Sequence, residues 1–217
     1  MTRSNRSLGN QTGEAFAARS RKGAETRARL LAAAKTVFEQ GGFLDARIAD
    51  ISKEAGLSHG AFYHYFDSKT QIFREVANEQ EELLTTRRAA SIPVPTSAIE
   101  RIRIGNRRFL EHYRDEARIM GVIEEVSRYD EEVNAARAAT DRQYTAWAQD
   151  NIQALQDEGV ADSSIDAGIA AVALGAMVSR FAELWFVQGY AEYDFEKTLE
   201  QLSLMVTNAL GIEEGSR

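Results

Sequence analysis

The stretch Asp45–Phe73, DARIADISKEAGLSHGAFYHYFDSKTQIF, decides how the rest of the chain is read. Ile48, Ile51 and Ala55 recur at the spacing that lines one face of a helix, and Gly56 stands where a C-terminal glycine closes it. Ser58 suits the N-cap of a second helix over 59–66, with Phe62 and Phe66 on its inner side. The short, glycine-containing connection is that of a helix-turn-helix, whose second helix enters the major groove of DNA.

That second helix leaves His59, Gly60, Tyr63, His64 and, near its end, Tyr65 outside. A glycine inside a helix costs about 1 kcal/mol against alanine, which fits Gly60 if a phosphate or base edge must approach the backbone there. A merely tolerated glycine is the alternative. Ser68-Lys69-Thr70-Gln71 reads as a capping box opening the next helix. A lysine in a first turn opposes the helix dipole by about 0.3–1 kcal/mol, so a partner must favour Lys69. A phosphate at the helix N-terminus would serve; a solvated surface lysine is the plainer reading.

With these residues in place, IADISKEAGLSHGAFYHYFDSKTQIF resembles the amino-terminal DNA-binding domain of the TetR family of bacterial transcriptional regulators. The resemblance covers roughly Glu25 to Val76, and A-G-L-S-x-G-x-F-Y-x-x-F-x-x-K, ending at Lys69, is its specific part. It implies DNA contacts from Ser58, His59, Gly60, Tyr63, His64 and Lys69, with Leu57, Ala61 and Tyr65 as neighbours. Family members often cap the first helix of the motif with a threonine that also touches phosphate. Here Ala46 and Arg47 stand there, leaving Asp45 as a possible cap and Arg47 as a possible phosphate contact. The resemblance further implies a homodimer paired through its last two helices, and a small ligand held in the helical domain.

Charge is divided along the chain in the same sense. The net −7 hides 11 Lys+Arg against 7 Asp+Glu in residues 1–70, and 15 against 26 in the remainder. A basic end attached to an acidic body is steered onto a polyanion by one end alone. Residues 1–24, with Arg3, Arg6, Arg19, Arg21 and Lys22 among polar residues, read as a basic arm, disordered when free. The expected organisation is therefore an arm (1–24), a helix-turn-helix domain (25–76) and a helical ligand-binding and dimerisation domain (77–217).

The fold class expected is all-α, since no strand pattern competes with helical periodicity. Glu25 to Gln40 is amphipathic and is ended by Gly41-Gly42. The helix from Lys69 continues towards Ala90, long enough to enter the second domain as a lever. Pro93 and Pro95 mark the clearest break. Beyond it, helices are expected near 97–114, 116–128, 130–158, 163–188 and 195–210. The last two are the expected dimer surface: Phe195, Leu199, Leu202, Val206 and Ala209 form a stripe that Leu204, Met205 and Leu210 widen.

Phe109, Tyr113, Met120, Tyr144, Trp147, Met177, Phe181, Trp185 and Phe186 suit either a core or an adaptable apolar pocket. Arg180, on the same apolar helix, is expected to be buried and to need a partner, either a ligand anion or an acid such as Glu124, Glu125 or Glu183. The arginines at 101, 103, 107 and 108 could meet an acyl-coenzyme A-like polyphosphate or simply form a solvated face. The expected effector is thus hydrophobic or acyl-coenzyme A-like.

Zero cysteines exclude disulfides and thiolate metal sites, which suits a reducing cytoplasm. The uncharged run Ala167–Ser179 falls short of a membrane span, and the polar start reads as no secretory signal, so no membrane partner is expected. With three histidines, two of them on the recognition helix, and no metal or phosphate-loop motif, neither an enzyme nor a cofactor is expected. The weighed alternative is a helical ligand-binding protein or enzyme with a vestigial DNA-binding motif.

Overall fold

A computed structural model describes residues 8–89 and 97–213. Its elements are α1 (Leu8–Asp45), α2 (Ile48–Glu54), α3 (His59–Phe62), α4 (Lys69–Ala89), α5 (Ala98–Asp115), α6 (Ala117–Ser127), α7 (Glu131–Asp157), α8 (Ala167–Ala182), a π-helical turn Glu183–Val187, and α9 (Phe195–Ala209). No strand occurs among the described residues, so the chain is all-α. It forms two compact units, one ending at Val76 and the other beginning at Ala77, inside α4.

Helix α1 starts at Leu8, so residues 8–24 are helical where a disordered arm was expected. Ala15, Ala17, Ala18, Arg19, Arg21 and Ala24 are strong helix formers and explain the difference. Arg3 and Arg6, and the Pro93–Pro95 break, lie outside the described residues. Gly42, at φ 70°, interrupts α1 two residues after Gln40, where the glycine pair predicts an end. In the first unit, Leu30, Ala34 and Phe38 of α1, Ile51 of α2, Phe62 after the turn, and Ile72 and Phe73 of α4 are fully buried. Phe73 meets Phe38 edge-on at 5.0 Å and Phe43 at 4.9 Å, tying α4 to the end of α1.

In the second unit α7 packs along α8, α5 along α9, and α6 against α7 and the π turn. Helix α8 begins at Ala167 rather than 163, because Asp166 is the N-cap and accepts from the Ile169 amide at 2.8 Å. The 163–165 segment is a turn, with Ser164 N–H donating to Asp162 Oδ1 at 2.8 Å. Leu199, Leu202 and Val206 of the α9 stripe are buried within the chain's own core, whereas Leu204 and Met205 are about half exposed, at 49% and 52%. On α8, Ile169 and Val172 are exposed as well.

The segment Ala167–Val187, 21 residues, is long and apolar enough by length and composition to cross a membrane, unlike the shorter uncharged run within it. The extra length comes from continuing past Arg180 and Glu183. These two form an ion pair of 2.5 Å, and the segment packs against α5, α6 and α7.

Candidate functional site

The helix-turn-helix is assembled by caps. Ser58 Oγ accepts from the Ala61 amide at 3.2 Å and starts α3, and Gly56 at φ 64° closes α2 after Ala55. Arg29 Nη2 donates to the Ala55 carbonyl at 2.5 Å, placing a cation at the C-terminus of α2. The N-cap position of α2 is Arg47, whose side chain makes no capping bond, and Asp45 ends α1 instead of capping α2. Arg47 is exposed.

The α-helix of the second element is shorter than the expected 59–66. It stops at Phe62 and continues as a turn, with Tyr65 N–H donating to Phe62 O at 2.9 Å and Phe66 N–H to the same oxygen at 3.1 Å. Four consecutive aromatic or histidine residues, Tyr63 to Phe66, have modest helix propensity, and a tightened last turn satisfies the backbone. The face survives this change. Phe62 and Phe66 are buried, while Ser58, His59, Gly60, Tyr63 and His64 are exposed and Leu57, Ala61 and Tyr65 are partly so. The His59 and Tyr63 rings meet edge-on at 5.4 Å. A Cβ placed on Gly60 would meet nothing within 4 Å, so no neighbour in the chain itself requires glycine there.

Lys69 is occupied otherwise than expected. Its Nζ donates to the carbonyls of Phe43 at 2.6 Å, Leu44 at 3.0 Å and Ala46 at 2.9 Å, and lies 4.6 Å from the Phe43 ring centroid. All three ammonium hydrogens thus have acceptors at the end of α1. Burial lowers its pKa and nearby Asp45 opposes the shift. Ser68 Oγ accepts from Gln71 N–H at 3.1 Å, and Gln71 Oε1 accepts from Asp67 N–H at 2.6 Å, so the capping box forms with its return bond one residue early.

In the second unit a cavity of about 180 Å³ lies between α5, α7, α8 and α9. Its walls include Ile102, Gly105 and Asn106 of α5, Tyr144, Trp147 and Leu155 of α7, Leu174 and Gly175 of α8, and Val206 of α9. Of the nine residues grouped as a pocket from sequence, Tyr144 and Trp147 line it, their rings 5.8 Å apart. Phe109, Tyr113 and Met120 are core residues, buried to 5% exposure or less. Phe181 and Trp185 belong to a separate aromatic group with Tyr193, and Phe186 stacks on Trp185 at 4.2 Å. Met177 does not line the cavity. Gly105 among its walls escapes sequence reading because its signal is the absence of a side chain.

Arg180 is not buried: its side chain is 57% exposed and its partner is Glu183, itself buried and also accepting from Gln188 Nε2 at 2.9 Å. Arg137 is more enclosed than Arg180, with its side chain 28% exposed. It pairs with Glu124, donates to Ser127 Oγ at 2.8 Å and reaches Glu81 at 3.9 Å. Burial works against its charge, but Glu124 and Glu81 outweigh that and raise its pKa. Tyr113, beside the same acids, is raised by burial and then by Glu183. Of the arginine run on α5, Arg103 pairs with Glu100 at 3.5 Å and Arg107 with Glu196 at 2.5 Å, and Arg101 lines the cavity. These pairs take up groups that a polyphosphate would require.

Residues 30–76 match the family model described as bacterial regulatory proteins, tetR family. The HTH-type transcriptional regulator YdgC of Bacillus subtilis is 47% identical over 58 residues, 27% of this chain and 30% of that protein. The HTH-type transcriptional repressor KstR2 of Mycolicibacterium smegmatis is 33% identical over 79 residues, 36% and 38% of the two chains. This chain thus spans about a third of the length of the curated relatives it matches. Likeness over most of the chain is structural: the fatty acid degradation regulator FadR from Bacillus halodurans superposes with TM-score 0.71 at 15% identity, covering 86% of this chain and 97% of that one. Salmonella enterica GusR does so with TM-score 0.69 at 18% identity, over 86% and 96%. Over residues 30–76, the helix-turn-helix with its exposed His59–His64 face is similar to that of the tetR family of bacterial regulatory proteins.

Proposed function

We propose that the chain is a dimeric transcriptional repressor that binds an inverted repeat in double-stranded DNA and is released by a small ligand. The observation that carries this reading is the exposed face His59-Gly60-Tyr63-His64, raised over the buried pair Phe62 and Phe66 in a domain matched to the family. A side chain that hydrogen-bonds from the first turn of a recognition helix reads base edges, so His59 is the assigned base reader. Tyr63, Ser58 and Arg47 are assigned to phosphate, which positions the helix without reading sequence. Lys69 supports the motif from behind by holding the end of α1.

A recognition element this short reads a few base pairs, so two copies about 34–36 Å apart are needed for a specific site. The exposed apolar residues Ile169 and Val172 of α8 and Leu204 and Met205 of α9 supply a self-complementary surface for a two-fold dimer. Ligand binding in the second unit would act through α4, which runs unbroken across the division at Val76. The coupling is reciprocal: operator DNA weakens ligand binding by the factor by which ligand weakens DNA binding. The reading also places the protein in the cytoplasm, where its DNA is.

The test is enrichment of mixed genomic fragments on the full-length protein. Recovery of one palindromic site, bound by a dimer in sedimentation, is expected; no enrichment over bulk DNA overturns the reading.

A further inference from the structure

We propose that the α5–α7–α8–α9 cavity takes a neutral guest built on one aromatic ring with a single hydrogen-bond donor, and that Gly105 sets its depth. The inference rests on the ligand-responsive reading above and narrows it to a ligand class. Size comes first. A dry apolar cavity of about 150 Å³ holds benzene, so about 180 Å³ admits one ring with a small substituent and not a long acyl chain or a coenzyme.

The walls set the chemistry. Tyr144 and Trp147 present two rings inclined at 34°, a surface for offset stacking of a third. Asn106 Nδ2 donates to Ser203 Oγ at 3.2 Å, which leaves the amide oxygen to accept from a guest hydroxyl. The charged wall residues, Arg101 and Glu158, are opposite in sign and both exposed, so neither offers a desolvated counterion to an ionic guest. A neutral guest follows.

The two glycines have different jobs. A Cβ on Gly175 would sit 3.4 Å from the Tyr144 ring, so that glycine seats the ring against α8. A Cβ on Gly105 would meet nothing within 4 Å. Gly105 lines the cavity from mid-helix, where glycine is the poorest ordinary helix former, and the space above it is open to a guest.

Benzyl alcohol, benzoate, benzylamine and decanoate are titrated into the full-length protein without DNA, read by calorimetry and tryptophan fluorescence. Benzyl alcohol is expected to bind saturably, with the two ions and decanoate about tenfold weaker or more. Gly105→Ala should keep affinity within about threefold, whereas Gly105→Leu should lose about tenfold or more while remaining folded and dimeric. If the leucine variant does not fold, Ala148→Leu fills the same cavity from α7 and must show the same loss. No saturable binding of benzyl alcohol, tighter binding of an ion or of decanoate, or unchanged affinity in the filled variant overturns the proposal. Because DNA is absent, such a failure leaves the operator reading standing; a failure to select an operator leaves the cavity result standing.

Discussion

Lys69 Nζ reaches back 26 residues to donate to the carbonyl of Phe43 at 2.6 Å, binding the first turn of α4 to the last turn of α1. A cation at a helix C-terminus meets the negative end of the dipole, which resolves why a lysine stands in a first turn where it opposes its own helix. Hydrogen bonds to a charged group are worth about 1.5–3 kcal/mol each against loss of the donor, though they are not additive. Lys69→Met, keeping the apolar stem, should therefore lower the stability of the first unit by about 2 kcal/mol in denaturant titrations. The salt slope of DNA binding should move by less than one unit; a full unit with unchanged stability would return Lys69 to the phosphate.

Gly60→Ala separates folding from recognition. The site is open and helical, so alanine should stabilise the protein by about 0.5–1 kcal/mol in thermal melts. If a phosphate or base edge closes on the backbone there, the same change should weaken operator binding by about tenfold or more, and equal affinity would make Gly60 a tolerated residue.

Arg180→Ala should leave the melting temperature nearly unchanged, because the guanidinium is mostly exposed, water replaces it, and Gln188 still donates to Glu183. Operator affinity and ligand response should be unchanged. A ligand response abolished by this one substitution would restore Arg180 as an anchor.

Glu196 carries the acid sensitivity of the α5–α9 contact. Its hydrogen bond from Arg107 holds its pKa below the usual carboxylate value, so the stabilisation is present above that value and is lost as pH falls through the lowered one. Glu196→Gln should flatten the acid limb of the melting temperature below the ordinary glutamate value of 4.5, by a small amount because the pair is exposed. An acid limb that is unchanged in the variant would show that the pair contributes nothing.

Met205→Glu or Val172→Glu places a charge on the exposed apolar face of α9 or α8. Either should shift sedimentation towards monomer and abolish cooperative binding to an inverted repeat, while helicity by circular dichroism stays constant. A dimer that tolerates both charges lies on another face.

The parts of this architecture legible in sequence are those fixed by local chemistry. Gly56, Ser58 and Ser68 each stand at a helix boundary, since capping depends on a few adjacent residues. What could not be read depends on partners far along the chain. Nothing near Lys69 announces three carbonyls more than twenty residues earlier, and nothing in α5 alone says that Gly105 faces open space. Arg180 pairs with Glu183, one of the acids its sequence offers as a partner; only its burial differs from expectation, because the outer face of an apolar helix can still lie exposed.

Gly121 and Val187 show how such distant contacts constrain descent. A Cβ on Gly121 of α6 would lie 2.9 Å from Val187 Cγ1 at the end of the π turn, and a β-branched side chain has few rotamers in which to retreat. An alanine at position 121 therefore requires residue 187 or the turn that presents it to shift, and a smaller residue at 187 would relieve the contact. The two sites should covary in size among descendants that keep the π turn and evolve independently in those that lose it.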